Sequence, residues 1–124
     1  VNWSNPFDFM QQESATKPRG LAPAQASQIA GLVQYQDGAI VSREIMKTPK
    51  GSVTIFAFDD GQGLSEHVAP FDALVQVVEG EVEIMISAQF HRVQAGQMIL
   101  MPAGQPHALK PLTRFKMILT MLRA

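Results

Sequence analysis

The chain contains no cysteine, which removes disulfides, thiol nucleophiles and thiolate zinc ribbons from consideration. Charge is scarce as well: Asp, Glu, Lys and Arg make up 17% of the 124 residues, and the net charge is −1. The ten Lys and Arg are scattered from Lys17 to Arg123. They form no basic stripe to neutralise phosphates, so no nucleic-acid partner is expected. No apolar run approaches the roughly 20 residues that cross a bilayer as a helix, so no membrane partner is expected either. The opening stretch VNWSNPFDFMQQESATKPRG has neither a basic n-region nor an apolar h-region and does not read as a secretory signal. A cytoplasmic location is the default expectation, which a cysteine-free chain permits. Also missing are a glycine-rich phosphate loop ahead of a helix and a Ser–His–Asp set at workable spacing. There is no internal repeat and no low-complexity segment.

What is present describes one folded domain with one core: hydrophobic residues make up 46% of the chain. Residues 1–39 read as an N-terminal arm and a short helix, and residues 40–124 as a β-barrel. In the arm, Trp3, Phe7 and Phe9 stand as isolated apolar anchors. In PAQASQIAGLV, Ala26, Ile29, Ala30 and Val33 fall on one helical face. Pro23 suits a first helical position and Gly31 a C-terminal cap, so a short helix over 23–30 is expected.

From Ile40 the pattern changes. AIVSREIM, SVTIFAF, ALVQVV, EVEIMIS, FHRVQ, MILM and RFKMILTML are short, mostly β-branched or aromatic runs. Turn signals separate them: TPKG, DDGQG, EGE, AGQ, PAGQP and KPLT. Short strands with no long helix between them predict an all-β antiparallel sandwich or barrel. Several strands are apolar on both faces. Ala73, Val75 and Val77 alternate with Leu74, Gln76 and Val78, and Met98 and Leu100 with Ile99 and Met101. An outer face of that kind needs cover, and a second copy of the chain is the economical source. A homodimer is expected.

Two spaced clusters carry the chemistry. From Gly61, five residues lead to His67, one more to Ala69, three more to Ala73 and six more to Gly80. From Gly96, five residues lead to Pro102, one to Gly104 and two to His107, with Pro111 three residues beyond that. Residues 81–95 separate the clusters. This pattern resembles the two motifs of the cupin superfamily, in which the first cluster also has a histidine and a glutamate and the second ends in asparagine. Here Ala69 stands for that second histidine, Ala73 for the glutamate and Pro111 for the asparagine. The resemblance covers about residues 40–122 and is with small single-domain bacterial cupins. It implies a double-stranded β-helix, a jelly-roll-like small barrel, with His67 and His107 converging inside it.

In that family three histidines and a glutamate hold a divalent metal, usually iron, manganese, nickel or zinc. Two of the four resembling positions are methyl groups in this chain. A metal, if one binds at all, would rest on His67 and His107 and be held weakly. Substitute ligands would have to come from Asp72, Glu66, Gln76 or His91, none at a ligand position of the family pattern. What remains is a pocket with two imidazoles in an apolar lining expected to include Val75, Val77 and Met101, the usual form of a small-molecule site. Two readings stay open at this point. One is a barrel with a degenerate metal site that binds a small molecule. The other is an enzyme: a metal-dependent oxygenase or isomerase with a reduced two-histidine site, or a metal-free acid–base catalyst using the same pair.

Overall fold

A period of two in the sequence sets the layout. In Glu81–Ile86, Val82, Ile84 and Ile86 are buried while Glu81, Glu83 and Met85 are half-buried, as a strand with one inward face requires. The structure, a computed structural model, describes residues 20–123. The arm with Trp3, Phe7 and Phe9 lies outside the described residues. Nine strands occur among them: β1 (Ile40–Thr48), β2 (Gly51–Phe58), β3 (Leu64–His67), β4 (Asp72–Glu79), β5 (Glu81–Ile86), β6 (Gln89–Gln94), β7 (Met98–Met101), β8 (His107–Pro111) and β9 (Phe115–Leu122). They form two antiparallel sheets, one ordered β1-β2-β9-β4-β7 and the other β3-β8-β5-β6. The expected all-β barrel is observed.

The inward faces meet in one core. Phe56 and Phe58 from β2, Val75 and Val77 from β4, Val82 and Ile84 from β5, and Phe115, Met117 and Met121 from β9 are buried together. Phe58 and Phe115 stack with ring centroids 4.6 Å apart, a favourable offset-stacking distance. The β4–β5 corner depends on Gly80. Its φ is +77°, and a Cβ built there would lie 2.0 Å from the Arg114 carbonyl oxygen, so only glycine fits.

The helix expected over 23–30 is not formed. Ala24 adopts a left-handed φ of 60°, which interrupts a helical run, and only a 3-10 turn at Ile29–Leu32 remains, without a side-chain cap. Tertiary partners take carbonyls at and beyond the ends of that stretch. Lys116 Nζ donates to Ala30 O at 2.7 Å, and the Arg43 guanidinium to Leu32 O and Gly20 O. The segment then lays Leu32 and Val33 over Val41, Ile55 and Ala57. Part of the apolar outer face of the five-stranded sheet is thereby covered by the chain itself. The rest of that face is open: Met98 is 59% exposed, Leu100 52% and Leu122 62%.

A polar cluster fixes the same segment to the barrel. The Tyr35 hydroxyl donates to Glu79 Oε2 at 2.6 Å, and the cations of Arg114 and Lys116 lie 5.2 and 4.9 Å from the Tyr35 ring centroid. Arg114 also pairs with Asp37 and Asp59.

Candidate functional site

β3 and β8 are adjacent, and His67 and His107 are direct partners in their register. Both side chains point inward and are buried, His67 8% and His107 2% exposed. Their ring centroids are 4.4 Å apart with planes at 70°, an edge-on contact. Each ring is held by the carbonyl two residues upstream: His67 Nδ1 lies 2.8 Å from Ser65 O, and His107 Nδ1 3.1 Å from Gln105 O. A carbonyl only accepts, so both Nδ1 atoms carry a proton, and in a neutral ring the lone pair is then on Nε2. His107 Nε2 is buried and has no hydrogen-bond partner. Leaving such an atom unpaired costs about 1–3 kcal/mol. Burial, then the neighbouring His67, hold the His107 imidazole below the usual histidine pKa, against the bond to Gln105 O. It is a neutral base.

The two rings line a cavity with Leu64 and Leu109 on their own sheet and Met101, Met117 and Leu119 on the opposite one. At its centre is about 10 Å³ of free space, and the whole concavity, counted out to solvent, is about 270 Å³. The centre holds about one water molecule. Met101, one of the residues expected in the lining, borders this cavity. Val75 and Val77 are buried in the same core but stand one strand away, in register with Leu119 and Met117, which do line the cavity. Leu64, Leu109, Met117 and Leu119 were not foreseen. Strand alternation from His107 reaches Leu109, and the inward set of RFKMILTML contains Met117 and Leu119, so the signal was there for three of them.

Ala69 and Ala73 are buried in the core, and neither lines the cavity. Ala69 lies just beyond the end of β3, and its carbonyl accepts from Gly104 N–H at 2.8 Å, joining the loops of the two motifs. Of the four substitute ligands considered, Asp72 is exposed and uses its Oδ1 to accept from Ala103 N–H at 2.9 Å. Glu66 is exposed, and Gln76 and His91 are half-buried away from the cavity. No group of three or more His, Cys, Asp or Glu able to hold a metal occurs among the described residues. Two imidazoles without a carboxylate do not fit a tightly held divalent ion.

A family model described as "Cupin domain" matches residues 54–121. The chain belongs to the cupin superfamily. A conserved protein of unknown function from Streptococcus pyogenes is similar to this cupin at 30% identity. The match covers 90% of this chain and 98% of that one, with a TM-score of 0.81. A cupin superfamily protein from Desulfitobacterium hafniense is 24% identical over 86% of this chain and 97% of its own, with a TM-score of 0.80. A cupin 2 conserved barrel domain protein from Leptotrichia buccalis is 37% identical over 76% of this chain and 46% of its own, with a TM-score of 0.73. No curated protein matches the chain. No helix among the described residues is long and apolar enough to cross a membrane.

Proposed function

We propose that this cupin binds a small molecule inside its barrel, at the paired imidazoles of His67 and His107. The observation that carries this reading is the buried, unpartnered Nε2 of His107, set beside His67 in a cavity otherwise lined by leucine and methionine. Two lone pairs in an apolar cavity select a compact ligand that offers hydrogen-bond donors. The free volume of about 10 Å³ is far below the roughly 300–1,000 Å³ of ligand pockets, so anything larger than a water or an ion enters only as the lining side chains move aside. Unbranched Met101 and Met117 side chains supply the adjustable walls. A thermal-shift series with phenol, imidazole and short amides tests it. A rise in melting temperature with the parent, lost in His67→Ala and His107→Ala, supports the site. A rise kept in both variants places binding elsewhere.

The enzymatic alternative, a metal-dependent oxygenase or isomerase, would have only two imidazoles as its donors of the family kind. That set does not fit a tightly held divalent ion, so the binding reading is preferred. We also propose a homodimer, in which a second copy covers Leu74, Met98 and Leu100 on the open outer face of the five-stranded sheet. Light scattering should give twice the 13.6 kDa chain mass, and a monomer at micromolar concentration would contradict it.

A further inference from the structure

The cavity has a second set of donors, the thioether sulfurs of two methionines. The sheet β3-β8-β5-β6 contributes His67 and His107, and the opposite sheet contributes Met101 from β7 and Met117 from β9. All four line one cavity whose central space, about 10 Å³, is of the size of a single water or ion. The imidazoles are presented for coordination. Their Nδ1–H groups are tied to Ser65 O and Gln105 O, the outer hydrogen bonding that orients a ligating histidine and leaves its Nε2 free. The Nε2 of His107 is buried and lacks any partner.

Donor chemistry then selects the ion. Thioether sulfur is soft and uncharged, and it favours monovalent copper over zinc, nickel or manganese, while imidazole suits copper equally. Hard or borderline divalent ions call for carboxylates, thiolates or further imidazoles, and no such side chain lines the cavity. We propose that the His67–His107 cavity is a binding site for a soft monovalent metal ion, Cu(I), with the Nε2 atoms of both histidines and the sulfurs of Met101 and Met117 as its donors. This rests on the same pair being the binding site and names the ligand class that the facing methionines select. Binding is a coordination step without electron transfer.

The test is an anaerobic competition titration of the untagged protein with Cu(I) against a chromogenic Cu(I) chelator, with Zn(II) and Ni(II) run in parallel. The parent should take up one Cu(I) per chain in preference to either divalent ion. Uptake should be lost in His107→Ala, and affinity should fall at least about tenfold in the Met101→Leu, Met117→Leu double variant, because the soft donors are gone while volume is kept. In the methyl spectrum of the parent, Met101 and Met117 should shift on Cu(I) addition while exposed Met46 and Met98 stay still. Affinity unchanged by the methionine substitutions, or shifts confined to Met46 and Met98, would overturn the proposal. The melting temperatures of all variants are read in parallel, and the methyl spectrum of the parent decides the matter if a variant fails to fold. The failure modes separate cleanly. If phenol or a short amide still binds through the histidines while Cu(I) does not, only the metal assignment falls. If neither probe depends on the histidines, the site itself falls.

Discussion

His67 and His107 are cross-strand partners whose rings meet edge-on at a centroid distance of 4.4 Å inside the barrel. The contact joins two strands from the two sequence motifs and leaves one ring nitrogen, His107 Nε2, buried without a partner. A residue selected only for packing would not carry that cost, and the first expected outcome follows from it. In His107→Leu the unpaired nitrogen is removed and the apolar volume kept, while the bond to Gln105 O is lost. These effects oppose one another, so stability should stay within about 1 kcal/mol of the parent. Urea denaturation measures it. A loss of about 3 kcal/mol or more would mark His107 as a packing residue satisfied in the core.

Stability should also depend on pH through His107. Its pKa is lowered in the folded chain by burial and by His67, so between that value and the unfolded value of about 6.5 the unfolded chain binds more protons. Stability therefore rises with pH across that window, is complete above about 6.5 and is lost as pH falls through the folded value. His67 is the titratable group facing it, and no carboxylate lines the cavity. The difference between parent and His107→Leu, followed by denaturation on both sides of that pH, should carry this slope. Parallel curves would contradict it.

The polar cluster behind the barrel gives an independent check. Tyr35 is the only tyrosine in the chain, so an absorbance titration reports it alone. Burial, then the hydrogen bond to Glu79 and its charge, hold the phenol well above the usual tyrosine range. The native chain should show no tyrosinate signal near pH 10, and Glu79→Gln should bring ionisation closer to that value. A normal titration in the parent would mean that residues 29–39 are not held against the sheet.

Much of the fold is legible in the sequence. Seven of the nine strands were found as β-rich runs between turn signals, because period-two burial such as Val82, Ile84 and Ile86 leaves a strong imprint. The two strands those runs missed are β3 and β8, the ones that hold the histidines. LSEH is four residues with no β-branched member, and HALKP begins on histidine and ends on proline. Only motif spacing placed them. The helix over 23–30 failed because Ala24 takes a left-handed φ of 60°, and Lys116 and Arg43, remote in sequence, hold the flanking carbonyls of Gly20, Ala30 and Leu32 to the sheet instead. The lining was half legible. Alternation identifies inward faces, but which inward residue borders a cavity depends on how the two sheets stack, and that put Met117 and Leu119 in place of Val77 and Val75.

Restoring the family's ligands should convert the site. Ala69 and Ala73 are fully buried, and Ala73 stands in register with Met101. Ala69→His with Ala73→Glu therefore introduces an unpartnered imidazole and carboxylate into the core, expected to cost about 3 kcal/mol or more without metal. Added nickel or zinc should raise the melting temperature of the double variant with metal concentration, since binding only the folded state adds stability by mass action. The parent should respond little. Tight zinc binding by the parent, or none by the double variant, would refute the reading of the two alanines as vacated ligand positions.

Long-range proton–nitrogen spectra of the histidine rings address the binding site most directly. In their neutral forms His67 and His107 should both appear as the Nδ1–H tautomer, as their carbonyl partners require. Adding phenol should shift both Nε2 signals and leave that of His91, outside the cavity lining, unchanged. An Nε2–H tautomer at either ring, or a response confined to His91, would contradict the assignment of this pair as the site where the barrel takes its ligand.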